Sequence, residues 1–306
     1  MSYTTKKFTV ETPVLAFRFL MDTFGITMSE AQKTIDRKRV YVNDELLTRK
    51  SARIFGEIAV VVFEGTSKGL IPVFETEDFA VYDKPSGVMI HPRKRSDGYT
   101  LNDEIKSRYG KDANAAHRID KSTSGLVLIG KNKKAEIELK AIFAARKVHK
   151  RYFALVRGKI SDEFLIDAKL KRDIATSQIR LKVHVDETGK PSQTRVIPVC
   201  YFEDKHATFI EAIPYTGRQH QIRAHLFHVK HPIVGDPIYG IDEVDAERFL
   251  DGSMTHEEQT RKTLSPRLLL HAQSLAFCYK GIDYAIESTF NAKSEFYNLL
   301  QEKVNE

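Results

Sequence analysis

Three segments in the second half of the chain are predicted to be β-strands separated only by short turns. The first alternates strictly between apolar and polar residues and the other two continue the pattern; they are Ser177–Asp186, Val196–Glu203 and Ala207–Ile213. Such alternation is typical of a strand with one buried and one solvated face. Because short turns join antiparallel neighbours, the chain is expected to build a largely antiparallel sheet.

Helices are interspersed with these strands. One is predicted over Lys133–Ala145, one near Gly217, and a terminal one around Ser294–Val304 with Phe296, Leu299, Leu300 and Val304 facing inward. The mixture predicts an α+β fold for residues 70–306, a mainly antiparallel mixed sheet with flanking helices. Residues 242–262 are polar and locally acidic, and are interpreted as a surface insertion.

Residues 1–66 are predicted to form a separate, small α/β module. Thr12 followed by Pro13 resembles a helix N-cap with a proline in the first turn. Ser29 with Gln32 has the pattern of a capping box for a second helix, whose Ala31 and Ile35 would face inward.

Basic residues and two strands complete this module. The second helix ends in Arg37, Lys38 and Arg39, a cluster suited to RNA phosphates. A short strand at Val40–Val42 and a strand at Ile58–Phe63 follow, and residues 64–69 are a plausible linker.

Charge is concentrated in one stretch of the chain. The net charge is +7, yet Lys131–Ile160 carries ten Lys and Arg against Glu136 and Glu138, a local net of +8. A basic region of this kind fits a phosphate-rich partner, although charge runs are more often solvated helix faces.

Several features indicate a cytoplasmic protein. The N-terminus has no apolar core of signal-peptide length, and no run approaches 18 apolar residues. Cys200 and Cys278 lie in apolar surroundings with no metal-type spacing, and are interpreted as buried thiols of a reducing compartment.

The segment His117–Gly125 (HRIDKSTSG) is the first candidate for chemistry. Asp120 lies among a histidine, an arginine, a lysine and three hydroxyl-bearing residues, immediately before the apolar run LVLIG. Hydroxyls and cations at the mouth of a strand favour an ionised, oriented carboxylate, which could act as a nucleophile or a base. An ordinary solvated aspartate in a surface loop is the alternative.

Two further segments could contribute to the same site. Val81–Pro92 is a strand that breaks into a Pro-Ser-Gly turn, and its Lys84 is interpreted as a turn-flanking surface residue rather than a phosphate ligand. Lys150–Gly158 is a strand in which Tyr152 could stack on a base and offer a hydroxyl, or could equally be a core tyrosine.

Pro214–His225 is predicted to open a helix through a capping box of Thr216 and Gln219. Arg223 lies well inside that amphipathic helix, so it is either exposed or paired with a carboxylate, and Asp120 is a possible partner. His231–Gly240 and Arg267–Ala272 are interpreted as structural turns and an apolar strand.

Metal and nucleotide cofactors are not indicated. The histidines have no HExxH or comparable ligand spacing, and the chain has no GxGxxG, P-loop or GxSxG motif. No metal, no cofactor, no membrane and no obligate protein partner is expected.

Four segments in this order resemble the signature segments of the RluA family of pseudouridine synthases. They are HRIDKSTSGLVL, KRYFALVRG, PYTGRQHQIRAHL and RLLLHA, within a resemblance that covers residues 70–290. Ile119 stands where the family pattern has leucine. The N-terminal module resembles, more weakly, a small RNA-binding module named after a ribosomal small-subunit protein, which often precedes the catalytic domain in enzymes that modify large-subunit ribosomal RNA.

The resemblance implies the pseudouridine synthase fold and a role for each matched residue. Asp120 would be the catalytic carboxylate, Tyr152 would stack on the target uracil and assist deprotonation at C5, and Arg223 would pair with Asp120. Substrate-binding roles are implied for His117 beside the RNA, Arg118 in nucleotide extrusion, and Leu270, or Leu269, against the base.

The implied activity is isomerisation of uridine to pseudouridine, most naturally in large-subunit ribosomal RNA. Transfer RNA is an alternative substrate, and a non-catalytic RNA-binding or ribosome-assembly factor is an alternative function. A sugar- or nucleotide-directed hydrolase would release free uracil, but no second carboxylate near Asp120 is evident in the sequence.

Overall fold

The chain packs as two units in a computed structural model that describes residues 3–92, 98–172 and 182–301. The first unit comprises Met1–Lys68 and Pro92–Arg108, and the second comprises Gly69–His91 and Tyr109–Glu306. As functional domains, the boundaries 1–66 and 70–306 stay a prediction.

The first unit is a four-stranded antiparallel sheet covered by two helices. The strands, which lie side by side in the order β1-β4-β2-β3, are β1 Tyr3–Leu15, β2 Val40–Val42, β3 Glu45–Leu46 and β4 Arg53–Phe63. The helices are α1 Ala16–Phe24 and α2 Met28–Asp36. Leu20, Ile35 and Ile58 are buried in the core between sheet and helices.

The sequence misplaced the start of both helices. Thr12 and Pro13 lie inside β1, where the register with β4 shifts between Val10 and Val14, and such a bulge tolerates a residue without an N–H. The capping box of α2 is formed by Thr27 and Glu30 instead of Ser29 and Gln32. Ala31 and Ile35 are buried, as predicted.

A third helix of this unit, α3 (Leu101–Tyr109), binds the segment that follows β4. Its Glu104 carboxylate accepts hydrogen bonds from Ser67 Oγ at 2.6 Å and Lys68 N at 2.5 Å, and Asp103 accepts one from Thr66 N. These bonds explain why residues 98–108, with no predicted role in this module, group with it.

The second unit is built on a ten-stranded sheet. Eight strands follow the order β10-β13-β14-β9-β15-β8-β6-β5, with β16 beside β15 and β7 beside β8. They are β5 Phe74–Glu75, β6 Phe79–Lys84, β7 Asn114–Ala115, β8 Ser124–Gly130, β9 Val148–Arg157, β10 Phe164–Asp167, β13 Gln193–Phe202, β14 Ala207–Pro214, β15 Leu270–Tyr279 and β16 Ile282–Glu287. All pairs are antiparallel except β8 with β15, so the predicted mixed, mainly antiparallel sheet of an α+β fold is confirmed.

A separate two-stranded sheet pairs β11 (Leu170–Arg172) with β12 (Val183–Val185). Of the strand predicted over Ser177–Asp186, Val183–Val185 is found in this separate sheet, and residues 177–181 lie outside the described residues.

Five α-helices of the second unit lie within the described residues. They are α4 Lys133–Ala144, α5 Gln221–His228, α6 Glu243–Asp251, α7 His256–Thr263 and α8 Ala292–Gln301. The prediction of α4 is confirmed, and Phe296 of α8 is buried while Val304 lies outside the described residues.

The helix predicted from Gly217 begins later, at Gln221. Its N-cap is His220, with a left-handed φ of 53° and no side-chain cap. The Gln221 amide oxygen accepts hydrogen bonds from Thr216 Oγ1 and Arg218 N, so Gln221 closes the turn where Gln219 was expected to do so.

Residues 243–263 are more structured than a polar surface insertion. The helices α6 and α7 are joined by ion pairs between Arg248 and Glu258 and between Lys262 and Asp245. Ala246 is completely buried, so this helical pair contributes to a core with Tyr239.

The two cysteines differ from the expected buried thiols. Cys200 is partly buried and Cys278 is exposed, although both lie on strands. Within residues 3–92, 98–172 and 182–301, no helix has the length and apolar character needed to cross a bilayer.

Candidate active site

Three neighbouring strands bring the separate sequence motifs together. Asp120 lies in the turn before β8, which is closed by a hydrogen bond from Thr123 N to Asp120 O. Ala272 of β15 pairs with Gly125 of β8 on one side and with Tyr152 of β9 on the other. The order β9-β15-β8 therefore places Tyr152 near the Asp120 turn.

Gly125 permits this close approach. Its φ is +111°, and a Cβ there would lie 2.4 Å from the backbone nitrogen and oxygen of Ala272. A side chain at this position would separate β8 from β15.

A cavity of about 560 Å³ opens beside these strands, entirely within the second unit. Asp120, Tyr152, Ile222, Arg223 and Leu270 line it. Its size suits a single base and ribose, and its lining combines apolar side chains with cations, hydroxyls and a carboxylate.

Asp120 is held by one arginine hydrogen bond and remains accessible. Its Oδ2 accepts from Arg223 Nη1 at 3.2 Å, and its side chain is 27% exposed. The Nε2 of His220 lies 3.7 Å from the same oxygen. Burial and the nearby Arg223 charge lower the pKa of His220 to about 4, so that contact involves a neutral imidazole at neutral pH. The Arg223–Asp120 pairing considered from the sequence is present.

Arg223 has a second, tighter partner that the sequence interpretation missed. Asp236 accepts hydrogen bonds from Nε and Nη2 of Arg223, each at 2.7 Å, and its side chain is fully buried. Asp236 belongs to the segment assigned to structural turns. The sequence signal that could have pointed to Asp236 is an aspartate between Gly235 and Pro237 in a segment that is otherwise largely apolar.

Tyr152 and Leu270 form the apolar wall of the cavity. Burial, and secondarily the charge of Asp120, raises the pKa of the Tyr152 hydroxyl well above its usual range, so the group is protonated at neutral pH. Leu270 lines the cavity, whereas Leu269 packs in a different core cluster with Leu155 and Phe209. Position therefore favours Leu270 over Leu269 as the residue beside a bound base.

His117 lies in the cavity wall with its ring engaged in the fold. Its Nε2 accepts a hydrogen bond from Leu128 N at 3.0 Å, and its ring stacks on Phe143 at a centroid distance of 4.3 Å. Burial, and then the charge of Lys150, lowers its pKa to about 3. Its neighbour Arg118 is exposed and also lines the cavity.

The sequence interpretation of Lys84 was also wrong. It is completely buried beneath the Asp120 turn, not exposed beside a turn, and its Nζ donates to the carbonyls of Pro85 and Lys121. The hydroxyls near Asp120 also turn into the protein: Ser86 Oγ donates to Ser122 O, and Ser124 Oγ lies 2.9 Å from Nδ1 of the buried His271.

The basic stretch 131–160 is divided between α4 and β9. Several of its charges are paired within the protein: Lys133 and Lys140 with Glu136, Lys131 with Glu75, and Arg151 with Glu287. Arg146 and Lys150 instead line the cavity, together with Arg118 and Arg218. With Arg223, five lysines and arginines line the cavity, and among the described lining residues one carboxylate, Asp120, faces them.

The basic cluster 37–39 belongs to the first unit. Arg37 and Lys38 are exposed, whereas Arg39 donates to Tyr3 Oη at 3.0 Å and stacks its guanidinium on that ring. Among the residues that the structure describes, no three His, Cys, Asp or Glu side chains are grouped as a metal site would require.

Solved structures share this fold. Human RNA pseudouridylate synthase domain containing 1 superposes with a TM-score of 0.59, covering 79% of this chain and 98% of that chain at 23% identity. Human RNA pseudouridylate synthase domain containing 4 gives a TM-score of 0.57, covering 75% and 92% at 18% identity. The second unit therefore has the pseudouridine synthase fold.

Sequence comparisons establish the family. Residues 78–228 match the RNA pseudouridylate synthase family model. An uncharacterized RNA pseudouridine synthase of Helicobacter pylori J99 is 36% identical over 293 residues, which cover 94% of this chain and 96% of the relative. The dual-specificity RNA pseudouridine synthase RluA of Escherichia coli K12 is 34% identical, covering 74% of this chain and 94% of the relative. The mitochondrial tRNA pseudouridine(32) synthase of Saccharomyces cerevisiae is 31% identical, covering 70% of this chain and 47% of the relative.

The chain belongs to the RluA family of RNA pseudouridine synthases. It is an isomerase that acts on RNA.

Proposed function

We propose that this enzyme isomerises uridines of structured RNA, foremost large-subunit ribosomal RNA, with Asp120 as its catalytic carboxylate. The observation that carries the proposal is the accessible Asp120 in the cavity, hydrogen-bonded to Arg223 and surrounded by cations. A carboxylate held in place by an arginine can be directed at a sugar, while the cations attract the RNA backbone.

The reaction breaks the bond from N1 of uracil to C1′ of the ribose and makes a bond from C5 to C1′. The C5 proton leaves and N1 gains one, so atoms balance without a cofactor. Two routes begin at Asp120: attack on C1′ to trap the sugar, as carboxylates do in glycosidases, or removal of a ribose proton. In either route one Asp120 oxygen must face the ribose, and the single Arg223 contact engages only Oδ2.

The remaining wall residues receive roles that match their positions. Tyr152 and Leu270 enclose the uracil between an aromatic ring and an aliphatic side chain. The Tyr152 hydroxyl, which is protonated in the free enzyme, assists deprotonation at C5 by passing on its own proton as it accepts the one from carbon. Arg118, exposed at the cavity, occupies the space from which the nucleotide is extruded, and His117 borders the RNA as a neutral ring.

The first unit supports ribosomal RNA as the substrate. It has its own core and presents Arg37 and Lys38 at the end of α2, an arrangement suited to phosphates of a large folded RNA. Transfer RNA is the second candidate, because one relative is named for position 32 of transfer RNA and others for dual specificity.

Asp120→Asn tests the catalytic assignment because it keeps the shape of the side chain and removes its charge. Wild-type protein is expected to form pseudouridine in uridine-containing ribosomal RNA, and the variant to form none while binding the RNA normally. Equal product from both proteins would refute the role of Asp120.

Mapping pseudouridines in cells with and without the gene tests the substrate. Ribosomal and transfer RNA fractions are compared in the same strains. Sites lost only from transfer RNA would overturn the ribosomal assignment, and sites lost from both would establish dual specificity.

A further inference from the structure

On the basis of the proposed role of Asp120, we propose that Asp236 is a positioning residue of the active site. It holds the guanidinium of Arg223 so that Asp120 meets one N–H and keeps its other carboxylate oxygen for the ribose. Asp236 lies outside the four matched motifs, in the segment between α5 and α6.

The geometry distinguishes the two carboxylates that share Arg223. Asp236 receives Nε and Nη2 at 2.7 Å each, whereas Asp120 receives only Nη1, at 3.2 Å. The paired, shorter contacts are the arrangement in which arginine is held most rigidly. The position of Arg223 is therefore set by Asp236, and Asp120 is a secondary partner.

Asp236 is itself fixed by the backbone. Its Oδ1 also accepts from Ile238 N at 2.9 Å and Tyr239 N at 3.0 Å, so the carboxylate cannot rotate without breaking several bonds. The Tyr239 ring covers the guanidinium of Arg223, whose carbon lies 5.2 Å from the ring centroid. Arg223 is thus nearly fully buried and held by Asp236 and Tyr239, while its Nη1 donates to Asp120.

Charge explains why this arrangement matters for the reaction. One buried cation lies between two carboxylates, so the group retains a net negative charge, and the more exposed carboxylate is Asp120. Burial alone would lower the pKa of Arg223, but the charge and hydrogen bonds of Asp236, and then the charge of Asp120, raise it. Without Asp236, the guanidinium could rotate and engage both oxygens of Asp120, which would remove the oxygen needed at the sugar.

The other ionisable groups near these side chains do not replace Asp236. His220 is neutral at neutral pH, and Tyr152 and Tyr239 are buried hydroxyls with raised pKa values. Arg157 is a cation near Asp236, and Lys84, whose pKa burial lowers to about 7, lies near Asp120; neither supplies a negative charge.

Asp236→Asn is the direct test, measured as a single-turnover rate and as RNA affinity. The rate is expected to fall by up to about 100-fold, because a small misplacement at the reacting centre has effects of that size. RNA affinity is expected to stay at the wild-type value, since Asp236 is buried away from the RNA. An unchanged rate would overturn the proposal.

A double variant separates positioning from a merely structural role. If Asp236 acts through Arg223, the Arg223→Met/Asp236→Asn protein turns over at the rate of Arg223→Met alone. It should also melt at a higher temperature than Asp236→Asn, because it contains no buried arginine that has lost its tighter carboxylate partner. If Asp236 only maintains the turn at Ile238 and Tyr239, the two rate losses multiply, which would refute the proposal.

Asp245→Asn is the matched control. Asp245 is also a buried carboxylate paired with cations, Lys262 and Arg248, but it lies on α6 and does not line the cavity. Its loss should lower the melting temperature without changing the rate per folded molecule. If Asp236→Asn does not fold, Asp236→Glu is measured in its place; it keeps the charge, shifts the carboxylate by one methylene, and should slow turnover with RNA affinity intact.

Wild-type protein and Asp120→Asn are measured in the same series. An inactive wild type would refute the proposed function, whereas an active wild type with a fully active Asp236→Asn refutes only the positioning role.

Discussion

Lys84 and Lys121 are joined by a hydrogen bond in which the buried Nζ of Lys84 donates to the backbone carbonyl of Lys121 at 3.2 Å. A second bond from the same Nζ reaches the Pro85 carbonyl at 2.8 Å, and Gly87 N also donates to Lys121 O. The end of β6 thereby supports the residue that follows Asp120, and the completely buried amine of Lys84 lies beneath the Asp120 turn.

Lys84→Met is expected to change how stability depends on pH. Burial lowers the pKa of Lys84 to about 7 from its usual 10.5, against the opposing attraction of Asp120 and Asp83. Between these pH values the unfolded chain binds a proton that the folded chain does not, so unfolding becomes less favourable as pH rises. The free energy of unfolding of the wild type relative to Lys84→Met should therefore increase across this window, by at most about 1.4 kcal/mol per pH unit.

Urea unfolding of both proteins at several pH values between about 7 and 10.5 measures this difference. A difference that stays constant would show that Lys84 remains charged inside the fold.

His117→Ala is expected to destabilise the protein more than it weakens RNA binding. It leaves the N–H of Leu128 without its acceptor, a loss worth about 1–3 kcal/mol when the group is buried. Arg118→Ala is the matched control at the neighbouring position, because Arg118 is exposed. This variant should bind RNA more weakly and melt at the wild-type temperature. Thermal unfolding and RNA titration of both variants make the comparison; the reverse pattern would identify His117 as the RNA ligand.

Tyr152→Phe and Tyr152→Leu separate stacking from proton transfer. The phenylalanine variant retains the ring that faces the base, so RNA affinity should hold while the rate falls by about 100-fold or more. The leucine variant should lose both RNA affinity and turnover rate. Single-turnover rates and binding constants are the measurements, and a Tyr152→Phe enzyme as fast as the wild type would exclude the hydroxyl from the chemistry.

Arg37→Gln combined with Lys38→Asn tests the basic end of α2. Asparagine suits position 38, where φ is +56°, so the change removes charge without adding backbone strain. Arg39 is left intact because it binds Tyr3. Affinity for ribosomal RNA should fall and the slope of its salt dependence should decrease by about 2, one for each phosphate contact removed.

Turnover of a bound minimal substrate should stay unchanged in this variant. Arg18→Gln is the control, since Arg18 is an exposed arginine on α1. Its ion pair with Asp22 is long, at 4.0 Å. An equal loss of RNA affinity in both variants would indicate general electrostatic attraction and not a specific role of the α2 cluster.

The period-two and helical patterns of apolar residues located many elements of the second unit. The predicted strands at residues 196–203 and 207–213 correspond to β13 and β14, and the helix from Lys133 corresponds to α4. Such patterns are local, because each residue's face follows from its neighbours along the chain. Strand β1 was missed because most of its residues are exposed in the first unit and therefore show little apolar alternation. Without a clear pattern, Pro13 was interpreted as the first turn of a helix.

Helix starts were harder to place than helices. Thr27 with Glu30 and Ser29 with Gln32 both fit a capping box, and the sequence offers no means of choosing between them. The burial of Ala31 and Ile35 is compatible with either start.

The sequence singled out Asp120, Tyr152 and Arg223 as candidates, and the structure brings these residues to one cavity. The sequence could not reveal that Lys84 lies buried beneath Asp120, or that Asp236 holds Arg223 more tightly than Asp120 does. A lysine in a Lys-Pro-Ser-Gly turn resembles a surface residue, and an aspartate before proline resembles an ordinary turn residue.

The sequence by itself determined the α+β class, the family and the residue types available for chemistry. Tertiary structure decided which charges are buried and which carboxylate each cation serves. Pairing of charges depends on distances across strands that are far apart in the chain: 103 residues separate Asp120 from Arg223, and the parallel contact of β8 with β15 helps to fix where they meet. In a low-dielectric interior such contacts dominate the behaviour of each ionisable group, and no local pattern encodes them.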